Sequence, residues 1–588
     1  MAQVSKMIKN GLLELSDSTN RSECWKSFKN VTKNGKKIDF VVCRTCSLVM
    51  KYNSAKTGTK KLLDHHRDCF PQQKLTEYTL PRTCTIHKED LEKIKSFQAL
   101  FSIGNLASFK LHESKATHDF VQACINIGAK YGRIDSRSVL ASRKAVKDQC
   151  IQLQNKLHNK LIQIIKANKY LAFTTDIWSS SNSDSFLEVH LVYLEDFEIK
   201  TCQLFMIHFD IRHTTANIYD ELITQFRKFC VDTSHLKITT DSGANILAAV
   251  NNFNGFRCAC HRLSTCIEDA WKKSMVDQGL SEINEYVNSL LKSIAHRTDF
   301  QRKLPKKVKT GSQTRAWRGL IHKLDRVHDC YDSLGDILAS EKKGFMVFRI
   351  DKGLLKIVID TLKPLEEVFN KLESTNEPNL NLVVPTYFIL LETFVPGENE
   401  SINCLNSHLT SSIKEKFWPI IKIEHWVASF LDPKMKNLIF VPQELRESMK
   451  VEIIDYLKQN AQPGTIVNSM PKKPKQSTSL FERHFQTFEE GPKSIDEEIS
   501  VYIEIRSNTQ NPFQFWKENQ FRLPILSGIA QQVLIVQSSS SLSERIFSHA
   551  GKIDSKQRAS LGPKTLSALT QCKSGEINGL LNCFFLMN

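Results

Sequence analysis

The chain has 588 residues, too many for one simple domain; length alone suggests three or four. Hydrophobic residues make up 41% of it, enough for sizeable cores, which excludes a wholly disordered chain. Eighty Lys and Arg against 63 Asp and Glu leave a formal charge of +17, which favours a polyanionic partner because each neutralised phosphate releases counterions. The first twenty residues, through Asn20, carry no continuous apolar core with a cleavage site, so no secretory leader is expected. No run of about eighteen apolar residues occurs, so no membrane span is expected either. Sixteen cysteines are scattered along the chain and are expected to be mostly reduced thiols, a few of them available for metal.

The segment up to Phe70 is polar and basic. In it, Cys43-x2-Cys46 is followed after 18 residues by His65-x3-Cys69. Two soft ligands on a tight turn and two more one helical turn apart fit tetrahedral Zn²⁺. Metal binding of this kind can fold a segment too small for its own core. His66 is an alternative to His65, and the single turn to Cys69 favours His65. Lys51, Lys56, Lys60, Lys61 and Arg67 surround the cluster, as phosphate contacts would.

Residues 85–165 read as helices. In "THDFVQACINIGAKYG", Phe120, Ile125 and Ile127 fall at apolar positions of helical type and Gly132 suits a stop. The pattern changes at Tyr170. "YLAFTTDIW", "SFLEVHLVYLED" and "FEIKTCQLFMIHFD" read as three strands of an antiparallel meander. A helix follows, with Thr215 as its N-cap, then the strand "HLKITTD", a second helix and a short fifth strand, "FRCACH". This mixed order is typical of ribonuclease H-like cores. Residues 271–500 read as mainly helical and include a basic stretch at 302–323. Residues 462–479 read as a flexible Pro/Ser/Lys loop. Its "PKKPK" has the composition of a nuclear-localisation patch, although a solvated loop is the preferred reading. From Val501 the pattern is again compact and helical. No internal repeat is evident.

Asp176 and Asp241 each end an apolar strand, and acids there point into the site region of an α/β sheet. Two on neighbouring strands can hold a hard divalent cation, since Mg²⁺ prefers oxygen ligands. Glu544, 303 residues beyond Asp241, lies in "SSSSLSERIFSHAGKI", where Ser540 or Ser541 can cap a helix. Taken alone, each acid also has a plain reading as a turn, cap or surface residue.

The blocks "FTTDIWSS", "ITTDSGAN", "CACHRLS" and "SSSSLSERIFSHAGKI", in this order, resemble the signature blocks of hAT-superfamily transposases of the hobo and Hermes branch. The N-terminal cluster resembles a BED-type zinc finger. The block around "INIGAKYG" resembles the branch's DNA-binding and dimerisation domain. The resemblance implies a multidomain α/β fold with a ribonuclease H-like core interrupted by a helical insertion. Its divisions would be a zinc finger at 1–75, a helical domain at 80–160, core at 165–270, insertion at 271–500, and core with a dimerisation region at 501–588. It implies Asp176, Asp241 and Glu544 as a catalytic triad for Mg²⁺ or Mn²⁺. Cys258-x2-His261 would support DNA-strand chemistry near the site, with a second metal site or buried polar packing as the competing reading. Trp317 would stack on an extruded base, in "TRAW" rather than the family's "TRW", with core packing as its alternative. Arg315 and Arg318 would pair with phosphates. Arg545 would orient Glu544 or contact DNA, a surface salt bridge being the alternative. The implied protein is a nuclear, at least dimeric DNA transposase that binds terminal inverted repeats, cuts the element out and joins it to target DNA. A domesticated DNA-binding regulator is the second reading.

Overall fold

The computed structural model describes residues 2–18, 25, 27–53, 57–69, 86–105, 107–180, 183–234, 236–294, 297–306, 316–461, 494–507, 509, 511–554 and 561–581. The 462–479 loop with its PKKPK run, most of the 302–323 basic stretch's centre and Arg315 lie outside them. The chain divides into two compact units, Met1–Val139 and Leu140–Asn588.

The first unit opens with an antiparallel sheet in sequence order: β1 (Glu14–Ser16), β2 (Phe28–Lys33), β3 (Lys36–Cys43) and β4 (Val49–Lys51). The β2–β3 hairpin turns on Asn34 and Gly35, with φ of 51° and 75°, the positive values that a tight hairpin needs. Small apolar groups form on both faces of the sheet. Trp25, Phe28, Val41 and Leu62 form one, and Leu13, Val31, Val42 and Val49 the other. Two longer helices follow, Lys88–Asn105 and Lys115–Tyr131. The second is capped by Ser114 and ends at Gly132, whose φ of 77° suits glycine. Of their residues only Ser102 is buried; Phe97, Phe101, Phe120 and Ile125 all stand exposed.

The second unit is built on a five-stranded sheet: β5 (Leu171–Ser179), β6 (Ser185–Glu195), β7 (Glu198–His208), β8 (Lys237–Thr240) and β9 (Asn254–Arg257). Its order is β7-β6-β5-β8-β9, antiparallel from β7 to β5 and parallel from β5 to β9. The meander and the helix–strand alternation thus stand as read from the sequence. Two details differ. Thr214, not Thr215, caps the first crossover helix, accepting the N–H of Asn217. The fifth strand stops at Arg257, and Cys258 caps a helix, Ala259–Lys273.

Alternation along the strands gives the sheet two covered faces. Phe173, Leu187, Val189 and Leu191 pack with Leu157 and Leu161 of helix Arg143–Ala167 and Phe226 of helix Thr215–Lys228. That first helix therefore belongs to the second unit, so the 80–160 segment is shared between units. Ala172, Val192 and Phe256 join a larger, mainly helical core that includes Phe369, Tyr502 and Trp516. After this helical stretch the chain returns to the sheet. Ser543 Oγ of helix Ser541–Ile553 lies 3.2 Å from Thr174 Oγ1, and Ser574 Oγ of helix Pro563–Ile577 accepts the N–H of Gln203 at 3.0 Å.

The outer strand β9 passes close to the preceding helix. A Cβ on Gly255 would stand 2.8 Å from the carbonyl oxygen of Val250, and backbone there cannot swing away as a side chain can. Gly255→Ala is expected to cost about 1–3 kcal/mol through this overpacking and to lower the thermal midpoint. An unchanged midpoint would show that the approach is looser than described.

Candidate active site and zinc centre

The Cys/His cluster assembles from two elements. Cys43 ends β3 and Cys46 lies in the following turn, which Ser47 tightens with φ of 59° and an N–H to the Cys43 carbonyl. His65 and Cys69 project from helix Lys60–Cys69, one turn apart. All four ligand atoms lie within 4.8 Å of one another. Cys43 Sγ is 3.7 Å from Cys69 Sγ, and Cys46 Sγ is 3.3 Å from His65 Nε2. Bonds of about 2.3 Å to a tetrahedral zinc put sulfurs roughly 3.8 Å apart, so the donor set and spacing fit that ion. The side chain of His66 lies outside the described residues; the one brought into the cluster is His65. Burial alone would push the Cys43 thiol up. The N–H groups of Cys46 and Thr45, with His65 and Cys69, more than reverse this and leave it at about 6. Cys69, hydrogen-bonded to Cys46, partly desolvated and facing Cys43, is pushed up to about 12.

The acids meet on the five-stranded sheet. Thr175 pairs with Thr240 across the parallel β5–β8 ladder, so Asp176 and Asp241 come next on adjacent strands. Glu544 reaches them from the returning helix. Two contacts fix it: Ser543 against Thr174, and Phe547 stacked on Trp178 with ring centres 5.9 Å apart. Thr174, Asp176 and Trp178 alternate onto one face of β5, so the turn bearing Glu544 lies along Asp176. Electrostatics records the crowding. Burial pushes the Asp176 carboxyl well up, and the charges of Asp241, Glu544 and Glu188 add to it, against a hydrogen bond from the N–H of Ile177. Mutual repulsion of this kind is what a divalent cation relieves, and the all-oxygen donor set suits Mg²⁺ or Mn²⁺. Among the described residues only the cysteine–histidine quartet closes to within 4.8 Å, so the acids are neighbours rather than a tight cage. Asp241 also accepts the N–H of Gly243, and Asn245 braces the same turn by donating to the carbonyl of His213. Trp178 packs on Phe186 as well as Phe547, a core role beside the site.

Cys258 ties this arrangement together. Its side chain is fully buried, and Sγ accepts the N–H groups of His261 and Ser540 at 3.3 and 3.4 Å. Its own N–H goes to the carbonyl of Thr240, and that of Ala259 to Ser538. One residue thus joins the strand end before Asp241 to the turn before Glu544. Among the described residues no metal group contains Cys258 or His261, and packing is what the cysteine shows. His261 remains half-exposed at the helix start.

The predicted DNA contacts in the helical region look different. Trp317 is 1% exposed, its ring 4.0 Å from that of Phe369. In this conformation it is a core residue, and no base can reach its face. The reason is helical spacing: Trp317, Ile321, Leu324 and Val327 form one buried stripe. Arg318 pairs with Glu373 at 3.2 Å rather than standing open for phosphate. Arg545 donates to Thr375 Oγ1 and the Glu373 carbonyl. Glu188 and His190, beside Asp176, were not singled out in the sequence, although the alternation of "SFLEVHLVYLED" puts both in phase with one strand face.

Chelation, or Cys43→Ser, is expected to expose residues 28–69 to protease. The Cys43 and Cys69 thiols must both lose their protons to bind zinc, so affinity should fall with pH from about 12 downward, where Cys69 protonates, and more steeply below about 6, where Cys43 does as well. Competition with a chromophoric chelator on either side of about pH 6 measures this; equal affinities would refute the assignment. Trp317→Ala is expected to cost about 3–5 kcal/mol of stability, read by denaturant unfolding. An unaltered unfolding curve would mean that the indole is not core.

Residues 493–575 match the model for the hAT family C-terminal dimerisation region. The chain is 22% identical to the Transposable element Hobo transposase of Drosophila melanogaster over 451 residues, 74% of this chain and 67% of that protein. It is 21% identical to Zinc finger protein 618 of Mus musculus, over 80% of this chain and 50% of that one. Against the Putative AC transposase of Zea mays it is 20% identical, over 74% and 60%. The chain thus spans about half to two thirds of these relatives' lengths. The C-terminal region thus matches the hAT family's dimerisation region, and the chain is similar along about three quarters of its length to transposases of hobo and AC type.

Proposed function

We propose that this chain is a DNA transposase whose ribonuclease H-like core cuts DNA at Asp176, Asp241 and Glu544. The observation that carries this reading is the placement of Glu544 along Asp176, from a helix 303 residues beyond Asp241. Asp176 does not end its strand as expected, because β5 runs on to Ser179, whereas Asp241 directly follows the end of β8. An acid brought back over that distance to lie beside these two is more than a surface residue. The three would hold Mg²⁺ or Mn²⁺, which supplies activation of the attacking oxygen and neutralisation of the leaving one. The zinc quartet and the helices Lys88–Asn105 and Lys115–Tyr131 bind the element's terminal inverted repeats. Their exposed apolar side chains suit a partner subunit, and the matched dimerisation region agrees with at least a dimer holding two ends. Water cleaves one strand; the flanking 3′-OH then attacks the opposite strand, leaving a hairpin on the flank. The freed 3′-OH of the element joins target DNA. Such a protein works in the nucleus.

A second reading, a DNA-binding regulator without cutting activity, is favoured by the similarity to Zinc finger protein 618 and to a Putative transcriptional regulator of Talaromyces stipitatus. The presence of all three acids favours the first. Incubation with DNA carrying the element's ends and Mn²⁺ separates them. Nicks and hairpins are expected from the wild type and neither from Asp176→Asn or Glu544→Gln, with DNA binding retained in all three. A wild type that binds but leaves the DNA uncut supports the regulator.

A further inference from the structure

Glu188 stands directly opposite Asp176 in the β5–β6 ladder. Residues facing each other across an antiparallel pair share a sheet face, their Cβ atoms about 4.5–5.5 Å apart. Glu188 is 0% exposed. One carboxylate oxygen lies 3.3 Å from His190 Nδ1, itself buried; the other, Oε2, is buried with no hydrogen-bond partner. A second buried glutamate of this chain shows what a purely structural acid looks like. Glu498 is also 0% exposed, and its two oxygens accept the N–H groups of Ile525 and Leu526. Leaving a carboxylate oxygen unmet in a protein interior is costly, and such an atom asks for a water or an ion.

We propose that Glu188 is a fourth acid of the cation site, a positioning residue that adds negative charge beside Asp176 and sets how tightly the divalent metal is held. This rests on reading Asp176, Asp241 and Glu544 as metal-binding acids. Two divalent cations carry four positive charges, and those acids supply three negative ones. Glu188 supplies the fourth from behind the site, on the same sheet face, without needing to reach substrate. His190 holds its other oxygen and so fixes the carboxylate plane. The acid's effect falls on metal affinity, not on DNA recognition.

The test is Mn²⁺ binding to the full chain by calorimetry, without DNA and with the zinc quartet already loaded, alongside the Mn²⁺ dependence of cleavage. Glu188→Gln keeps the shape and removes the charge. It is expected to weaken Mn²⁺ roughly tenfold, as loss of an outer-shell group does. Half-saturating Mn²⁺ for cleavage should rise by a similar factor, with the rate at saturating metal little changed, and Glu188→Asp should recover part of the loss. Unchanged Mn²⁺ affinity in Glu188→Gln, with only a lower thermal midpoint, would make Glu188 an ordinary core acid and overturn the proposal. Asp176→Asn is the control. If it loses Mn²⁺ while Glu188→Gln does not, only the role of Glu188 falls. If it too binds as wild type does, the reading of the three acids falls with it.

Discussion

Like charges held together on one sheet face are the constraint on which the second unit depends. Asp176 cannot sit beside Asp241, Glu544 and Glu188 unless other contacts resist their repulsion. The β5–β8 ladder sets Asp241 at the next step from Asp176. For Glu544, at the far end of a long helical excursion, no ladder is available. Its helix is instead held by several neutral contacts: Ser543 on Thr174, Phe547 on Trp178, and the Ser538–Ser540 turn on Cys258 and Ala259. Each hydrogen bond contributes only about 1 kcal/mol. The placement therefore comes from their sum, and from the rigidity of a buried cysteine joined to both sides of the site.

This division explains what could be read from the sequence. The apolar run of β5 and the partial alternation of β6 and β7 made the strands legible, and the acids stood out as charges closing apolar runs, although β5 in fact continues past Asp176 to Ser179. The Cys/His cluster was legible for a similar reason: spacing alone put two of its residues on a turn and two on one helix face. The N-terminal sheet was not. Two of its strands have only three residues, lysines flank the hairpin on both sides, and the one strong local signal, Asn34-Gly35, is a turn without apolar residues next to it. Thr214 and Thr215 are chemically the same, so the cap could be placed only to within one residue. Glu544's neighbourhood was beyond any local pattern, because its contacts cross more than three hundred residues.

Two residues show how a motif can mislead where periodicity would not. Trp317 lies between positions rich in arginine, which suggests a DNA surface. Its i+4, i+7 and i+10 partners are Ile321, Leu324 and Val327, a stripe that belongs inside. Glu188 is the converse. A charged residue in a strand is easily set aside as a solvent-facing break, yet the register fixed by the apolar residues around it points it inward, toward Asp176.

Arg318 and Arg545 both converge on the end of helix Lys352–Leu372: one on the Glu373 carboxylate, the other on its carbonyl and on Thr375. They join the start of the helical region to the helix that carries Glu544. A phosphate bound by Arg318 would have to replace Glu373 and Asn370, and what it gained would be reduced by what was given up. Basic residues in a motif are thus not in themselves a DNA surface. Lys51, Lys60 and Lys61 are exposed around the zinc quartet, and they carry charge that a polyanion can meet without first breaking an ion pair of that kind. Among the described residues, Arg318 and Arg545 are thus held as braces, while Lys51, Lys60 and Lys61 stand exposed beside the Cys/His quartet.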